Sequence, residues 1–202
     1  MRKLDLNAVY ISERVQETLR PIRVSALTAV VAPMGYGKTT AINWFLNQRR
    51  QTENAVILRV NIYSDNRSIF WKSVQNAFGA AGLTALAGCE YPEDASSAAQ
   101  LMDDLCTVLA GNTPCYLFLD DFHLLKDENT AKFLCGLANR LPENVHLVVA
   151  SRNKFLPKEE ILRLGHRLHR IGKEQLRLNH TELAHYAHRC GIDLTEAQVE
   201  SL

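Results

Sequence analysis

The sequence has little of what marks several classes of protein. Its 202 residues carry a formal net charge of only +1, so it offers no positive excess to attract nucleic acid or an anionic membrane. No apolar run approaches the length of a membrane span. Residues 1–7 alternate charged and apolar side chains where a secretory signal would have an apolar core. These absences argue against nucleic-acid binding by this segment, against a membrane protein and against secretion.

Cysteine usage indicates a reducing compartment, in agreement with the absence of a secretory signal. The five cysteines form neither a CxxC pair nor a Cys/His cluster with metal-ligand spacing. Their odd number and scattered positions are typical of a reducing environment. We therefore predict a cytoplasmic protein. With 47% apolar residues, a chain of this length can bury a core without disulfides or structural metal.

Apolar runs and helical patterns alternate along the chain. The runs that predict strands are 27–32, 55–62, 115–119, 145–150 and 167–171. Helical spacing of apolar residues predicts helices at 38–48, 68–81, 98–110, 129–141 and 158–164. Such alternation is typical of an α/β fold in which helices cover a mostly parallel sheet.

The most informative segment is Ala-Pro-Met-Gly-Tyr-Gly-Lys-Thr, residues 32–39. It matches the phosphate-binding P-loop pattern GxxxxGK[ST], with Ala32 in place of the first glycine. It also has the required context, because it follows an apolar strand and opens an amphipathic helix. Gly35 and Gly37 allow backbone conformations in which successive N–H groups face phosphate oxygens. A glycine-rich turn with a chance lysine is a much poorer explanation of this combination.

The loop therefore predicts a binding site for a nucleoside triphosphate. Together with the alternating strands and helices, it predicts a three-layer P-loop NTPase fold. Lys38 is expected to contact the β- and γ-phosphates, the Thr39 hydroxyl to bind Mg²⁺, and Thr40 to contact the α-phosphate. Tyr36 is given no catalytic role. The predicted nucleotide-binding residues are Pro33, Met34, Gly35, Tyr36, Gly37, Lys38, Thr39 and Thr40.

A second apolar run, Cys115–Leu119, ends abruptly in Asp120 and Asp121. A buried strand that delivers a carboxylate at its C-terminal end matches the Walker-B arrangement, in which the aspartate holds Mg²⁺. Asp120 is therefore predicted to share the metal with Thr39. Asp121 is the candidate catalytic base or water-orienting residue. Without a P-loop elsewhere in the chain, a turn or helix cap would explain both residues better.

A third strand is followed by Ser151 and Arg152. An arginine at the end of a strand beside the Walker-B strand can reach a γ-phosphate and stabilise its charge. A solvated arginine that begins a surface loop explains the pattern equally well. His185 and His188, three apart on a predicted helix, are better explained as solvated surface than as metal ligands, because no carboxylate or cysteine has suitable spacing.

The character of the chain changes at Asn179. Asn179 can cap a helix, with Glu182 completing a capping box. Gly191 is expected to end that helix, and Thr195 can begin another. We predict a nucleotide-binding domain over residues 1–178 and the beginning of a helical module over residues 179–202, cut from a longer protein.

Taken together, these residues resemble the signal-transduction ATPases with numerous domains, in particular the subgroup of the maltose regulon activator and large LuxR-type transcriptional regulators. The resemblance rests on the stretch 32–40, on Asp-Asp-Phe-His at 120–123 and on Ser-Arg at 151–152. Phe70-Trp71 and the stretch 176–184 are similar too. It covers nearly the whole chain.

The resemblance implies a nucleotide-driven switch. ATP or ADP with Mg²⁺ binds between the P-loop domain and a following helical and winged-helix region. The ATP state self-associates, slow hydrolysis resets it, and a C-terminal domain absent from this chain binds DNA. It also implies that Arg152 reads the γ-phosphate and that Arg14 helps shape the adenine side.

Two other hypotheses compete with this one. A P-loop kinase acting on a small molecule usually closes an arginine-rich lid over the phosphates, and residues 152–173 hold Arg152, Arg163, Arg167 and Arg170. A non-catalytic scaffold would need no intact Lys38, Thr39 and Asp120. The absence of the guanine-reading Asn/Thr-Lys-x-Asp pattern weakly favours adenine over guanine.

Overall fold

The computed structural model describes residues 9–84, 86–192, 194, 195 and 198. In this part of the chain, five strands form one sheet in which every pairing is parallel. The strands are β1 (Leu27–Val31), β2 (Val56–Asn61), β3 (Cys115–Asp120), β4 (Val145–Ser151) and β5 (Leu168–Gly172). The helices are α1 (Glu13–Leu19), α2 (Lys38–Glu53), α3 (Arg67–Ala80), α4 (Ala95–Leu109), α5 (Glu128–Arg140), α6 (Lys158–Leu164), α7 (Lys173–Leu176) and α8 (His180–Arg189).

The strand order is β2-β3-β4-β1-β5. β4 therefore lies between β1, which leads into the P-loop, and β3, which ends in Asp120. Because all strands are parallel, their carboxyl ends meet at one edge of the sheet, where ligands of open α/β folds bind. The order brings the P-loop, the end of β4 and the end of β3 side by side at that edge.

Alternating side chains of the sheet supply two separate apolar cores. On β3, Leu117 and Leu119 face the core formed with α3, α4 and α5, whereas Tyr116 and Phe118 face the core formed with α1, α2 and α7. A strand buried on both faces reads as a continuous apolar run, and all six residues of β3 are buried. The three-layer α/β architecture predicted from the sequence is confirmed.

Local signals explain where several helices begin. Asp94 caps α4 in a reciprocal box with Ser97, so α4 starts at Ala95, three residues earlier than its apolar pattern predicts. α2 extends to Glu53 rather than to residue 48, and Arg49 pairs with Glu53 across its last turn at 2.7 Å. α1, which the sequence reasoning did not predict, is capped by the Ser12 hydroxyl.

The region after β5 is helical. Asn179 and Glu182 form the predicted capping box at the start of α8. The helix ends at Arg189, shortly before Gly191 with φ +76°. Of the next predicted helix, most residues lie outside the described part; the Thr195 hydroxyl does accept a bond from the Gln198 N–H. No helix in the described ranges is both long and apolar enough to cross a membrane.

Candidate nucleotide-binding site

The loop between β1 and α2 depends on two left-handed glycines. Gly35 has φ +89° and Gly37 has φ +71°. A Cβ at either position would meet no atom within 4 Å, so the requirement for glycine comes from the backbone conformation and not from lack of space. A residue with a side chain would pay roughly 1–2 kcal/mol in this region. The sequence therefore dictates an open, turned loop at the start of a helix of 16 residues, the usual setting for anion binding.

Lys38 is held inside the loop that precedes it. Its Nζ donates hydrogen bonds to the carbonyl oxygens of Ala32 at 2.7 Å and Pro33 at 2.9 Å. Burial, followed by the charge of Arg152, lowers the pKa of Lys38, while Asp120 and Asp121 act in the opposite direction. The Lys38 ammonium therefore lies near Arg152, Asp120 and Asp121, the other charged residues that the sequence predicts for the site.

Asp120 is the last residue of β3 and is 6% exposed. Its carboxylate accepts a hydrogen bond from the Asp121 N–H at 2.9 Å. Burial raises the pKa of Asp120, and the neighbouring Thr39 hydroxyl and Asp121 N–H oppose that effect. The influence of Thr39 means that the first turn of α2 lies near the end of β3, even though β4 separates β1 from β3.

This donor set fits Mg²⁺ bound together with a nucleotide. Mg²⁺ prefers oxygen ligands and usually takes only one or two carboxylates plus substrate phosphates. The Thr39 hydroxyl and the Asp120 carboxylate provide such oxygens, and they are close enough for Thr39 to lower the pKa of Asp120. Within the described residues, no group of three or more His, Cys, Asp or Glu side chains is placed to hold a metal on its own.

Asp121 adopts a left-handed conformation with φ +57° and begins the 3₁₀ turn Phe122–Leu124. Its side chain is 50% exposed, and its Oδ1 lies 3.8 Å from Nδ1 of His123. Non-glycine residues with positive φ are uncommon and concentrate at functional sites. The conformation turns the chain sharply at the edge of the sheet that carries the P-loop.

Arg152 follows the last residue of β4 and is exposed. Its charge lowers the pKa of both Lys38 and His123, so it lies within electrostatic reach of both. The buried Ser151 hydroxyl donates to the Asn153 carbonyl at 2.7 Å and shapes the turn that presents Arg152. The predicted position of Arg152, beside the Walker-B strand, is confirmed by the pairing of β3 with β4.

The other predicted loop residues differ in exposure. Met34 is 74% exposed, and Tyr36 packs against the core beside α2. Thr40 is half-buried in the first turn of α2. Pro33 contributes its carbonyl oxygen to Lys38. The side chain of Tyr36 packs against this core, and its predicted contact with the nucleotide stays a prediction.

Arg14 is engaged away from the phosphate loop. Its guanidinium binds Glu182 with two hydrogen bonds, at 3.1 and 2.8 Å, and donates to the carbonyls of Gln175 and Arg177. All four bonds join α1 to the segment from α7 to α8. These contacts form a junction between α1 and the segment from α7 to α8. A role of Arg14 on the adenine side stays a prediction.

His123 is a site residue to which the sequence reasoning gave no role. It is near Lys38, Asp120, Asp121 and Arg152, all of which influence its pKa; burial, the largest cause, lowers that pKa. Its only sequence signal was its place in the stretch Asp-Asp-Phe-His, three residues after the Walker-B aspartate.

Fold and loop together define the class of the protein, a P-loop NTPase. The AAA domain family matches residues 22–155, from the residues before β1 to the segment after β4. The chain belongs to this family, and its nucleotide-binding domain is of the AAA type.

Solved structures share the fold at low identity. Cdc6p from Pyrobaculum aerophilum is 14% identical with a TM-score of 0.54, over 88% of this chain and 47% of that one. The replication initiator DnaA, in a structure bound to AMPPCP and single-stranded DNA, is 14% identical with a TM-score of 0.52, over 98% and 58%. Domain III of DnaA from Thermotoga maritima is 10% identical with a TM-score of 0.50, over 97% and 78%. The chain thus spans about half the length of the first two.

Proposed function

We propose that this chain is the ATP- and Mg²⁺-binding, slowly hydrolysing switch module of a larger signal-responsive transcriptional regulator. The observation that carries the nucleotide part is the arrangement at the carboxyl edge of the sheet, where the P-loop after β1 and the buried Asp120 at the end of β3 lie on either side of β4. The Thr39 hydroxyl, in the first turn of the P-loop helix, lowers the pKa of Asp120, so the two oxygens are neighbours, as a shared magnesium site needs. AMPPCP in one structure with this fold is compatible with the same ligand class.

Each charged residue of the edge has a proposed part. The loop N–H groups and Lys38 bind the phosphates, and Lys38 exchanges its bonds to the Ala32 and Pro33 carbonyls for bonds to phosphate oxygens. Thr39 and Asp120 hold Mg²⁺, which when bound neutralises charge on the β- and γ-phosphates. Asp121 orients or deprotonates the attacking water, and Arg152 contacts the γ-phosphate.

The switch part of the proposal rests on the junction at Arg14. Residues 1–178 are proposed to form the nucleotide-binding domain and residues 179–202 the start of a helical module. The ion pair Arg14–Glu182 joins these two parts. Residues 32–40, 120–123 and 151–152 support the regulator subgroup by resemblance. Binding to DNA and self-association are proposed for the parent protein and not for this segment.

No specific observation favours the kinase alternative. Arg163 pairs with Glu160 on α6. Arg167 donates to the carbonyls of Asn139 and Leu141, just before β4 begins. That contact is at the amino edge of the sheet, opposite the P-loop, so Arg167 does not contribute to a lid over the phosphates.

Calorimetric titration of the chain with ATP and ADP, each with Mg²⁺, tests the proposal. Wild type is expected to bind, and Lys38→Ala to weaken ATP binding by at least about 100-fold, because charge-assisted bonds to phosphate are lost. Lys132→Ala, which removes an exposed lysine of α5, is the matched control and should bind like wild type.

The outcomes separate the hypotheses. Equal binding by wild type and Lys38→Ala would exclude the loop as the phosphate site. Rapid phosphate transfer to a metabolite, in place of slow release of phosphate to water, would support the kinase alternative instead.

A further inference from the structure

The 3₁₀ turn Phe122–Leu124 places His123 near the P-loop, with a buried ring nitrogen that lacks a hydrogen-bond partner in the described part of the chain. The His123 side chain is 11% exposed. Its Nδ1 is shielded from solvent and has no hydrogen-bond partner among the described residues. Leaving a buried polar atom unpaired destabilises the folded state. A native protein that tolerates this cost usually gains something from the group elsewhere.

The backbone around His123 is firmly placed. The left-handed Asp121 turns the chain, and its carbonyl accepts a bond from the Leu124 N–H at 3.0 Å. Phe122 is 2% exposed and packs against Phe155 with a centroid distance of 4.8 Å. The turn is therefore anchored through its backbone and through Phe122, whereas the Asp121 side chain is half-exposed.

The nearest carboxylate oxygen to the unpaired nitrogen is Oδ1 of Asp121, at 3.8 Å. This distance is too long for a hydrogen bond, so the pair has to approach by about 1 Å to reach the usual hydrogen-bonding distance of about 2.9 Å. The imidazole also lies within electrostatic reach of Lys38 and Arg152, the two cations proposed to contact the terminal phosphate. His123 and Asp121 therefore both lie near the cations that are proposed to contact the phosphate that is hydrolysed.

We propose that His123 is a positioning residue for Asp121: its Nδ1–H donates to Oδ1 and fixes the carboxylate toward the attacking water. The inference rests on the proposed ATPase function. In the step it supports, the water oxygen forms a bond to the γ-phosphorus, and the bond from that phosphorus to the bridging oxygen breaks. ADP leaves with the electron pair, and a proton of the water passes to the Asp121 carboxylate. The imidazole gains and loses no proton.

Three substitutions in the full chain distinguish positioning from packing. His123→Asn keeps a donor near the place of Nδ1, His123→Gln places its amide nearer Nε2, and His123→Ala removes both. Single-turnover hydrolysis of γ-labelled ATP should fall at least about 10-fold in the Gln and Ala variants, within the range of general acid–base effects. The Asn variant should recover most of that loss, and the affinity for ATP should change by less than about 3-fold.

Two further variants complete the design. His166→Ala, which removes an exposed histidine from the turn Gly165–Arg167, is the control and should hydrolyse ATP like wild type. In an Asp121→Asn background, His123→Ala should cause little additional loss, because residues that act as a unit are not additive.

Equal losses in the Asn, Gln and Ala variants would overturn the proposal, as would full additivity with Asp121→Asn. ATP binding by wild type without any turnover would overturn it as well, since there would be no reaction to position. Failure of wild type to bind ATP would instead overturn the proposed function on which it rests.

Discussion

Two groups of charged side chains in this molecule are under opposite electrostatic conditions. At the carboxyl edge of the sheet, burial lowers the pKa of Lys38 and raises that of Asp120, so both charges are disfavoured by their surroundings. At the junction of α1 with α8, the hydrogen bonds from Arg14 lower the pKa of Glu182 to about 2. There the charge is favoured.

This difference distinguishes charged groups that are available to a ligand from charged groups that stabilise the fold. Charged groups that the fold disfavours, gathered at the sheet edge, are the pattern expected of functional sites. The charge at the junction already has its partners: Glu182 accepts hydrogen bonds from Arg14 and from the Asn179 N–H, and the nearby Ser12 also lowers its pKa. Removing charge should therefore destabilise the protein at the junction and leave its stability unchanged or higher at the site.

The largest loss of stability is expected for Glu182→Gln, about 1–2 kcal/mol in the free energy of unfolding. This is less than the pKa shift alone implies, because the Arg14 side chain is 39% exposed and partly screened by solvent. Urea unfolding at pH 7 measures it. Glu174→Gln, at a side chain 72% exposed, is the control. Equal stability of the two variants would contradict a supporting role for the junction.

The same residue predicts a pH dependence. The pKa of Glu182 is about 2 in the fold, against an ordinary value of 4.5. Its contribution is therefore complete above pH 4.5 and is lost as the pH falls from 4.5 toward 2. In urea titrations over that window, the difference between wild type and Glu182→Gln should shrink. A difference that stays constant would mean that charge is not its origin.

A smaller effect of opposite sign is expected for Asp120→Asn. Because the pKa of Asp120 is raised, its carboxylate destabilises the fold above that pKa, and the cost disappears as the pH falls below the ordinary value of 3.8. At pH 7 the variant should be as stable as wild type or up to about 1 kcal/mol more stable, while Mg²⁺-dependent ATP binding weakens. Asp65→Asn, at an exposed position, should change neither property. Marked destabilisation would make Asp120 a structural residue.

The smallest change in stability, within about 0.5 kcal/mol, is expected for Arg152→Ala, because the side chain is exposed. Calorimetry should nevertheless show weaker binding of ATP with little change for ADP, since only ATP carries a γ-phosphate for this charge to contact. Arg170→Ala, an exposed arginine of β5, is the matched control. Equal weakening of ATP and ADP would place Arg152 away from the γ-phosphate.

Much of this fold could be predicted because its signals are local. The five strands were recognised as apolar runs, and their ends differ from prediction by one residue at most. α1 was missed, since the capping serine at residue 12 precedes only seven helical residues, too few to show a clear apolar period. The start of α4 was placed late, because Ala, Ser and Ser in its first turn follow the cap without adding to the apolar stripe.

The phosphate loop, the two strand-end aspartates and the capping box at Asn179 can be recognised from the sequence alone. Each depends on residues a few positions apart and on backbone preferences of Gly, Asp and Asn. Three features follow only from the folded structure: β4 separates β1 from β3, His123 lies within electrostatic reach of Lys38 and Arg152, and Arg14 binds Glu182, 168 residues away. An apolar run identifies a strand but not its neighbours. Which strands become neighbours, and which distant side chains meet, depends on how the helices pack on the two faces of the sheet. That packing is a property of the whole chain.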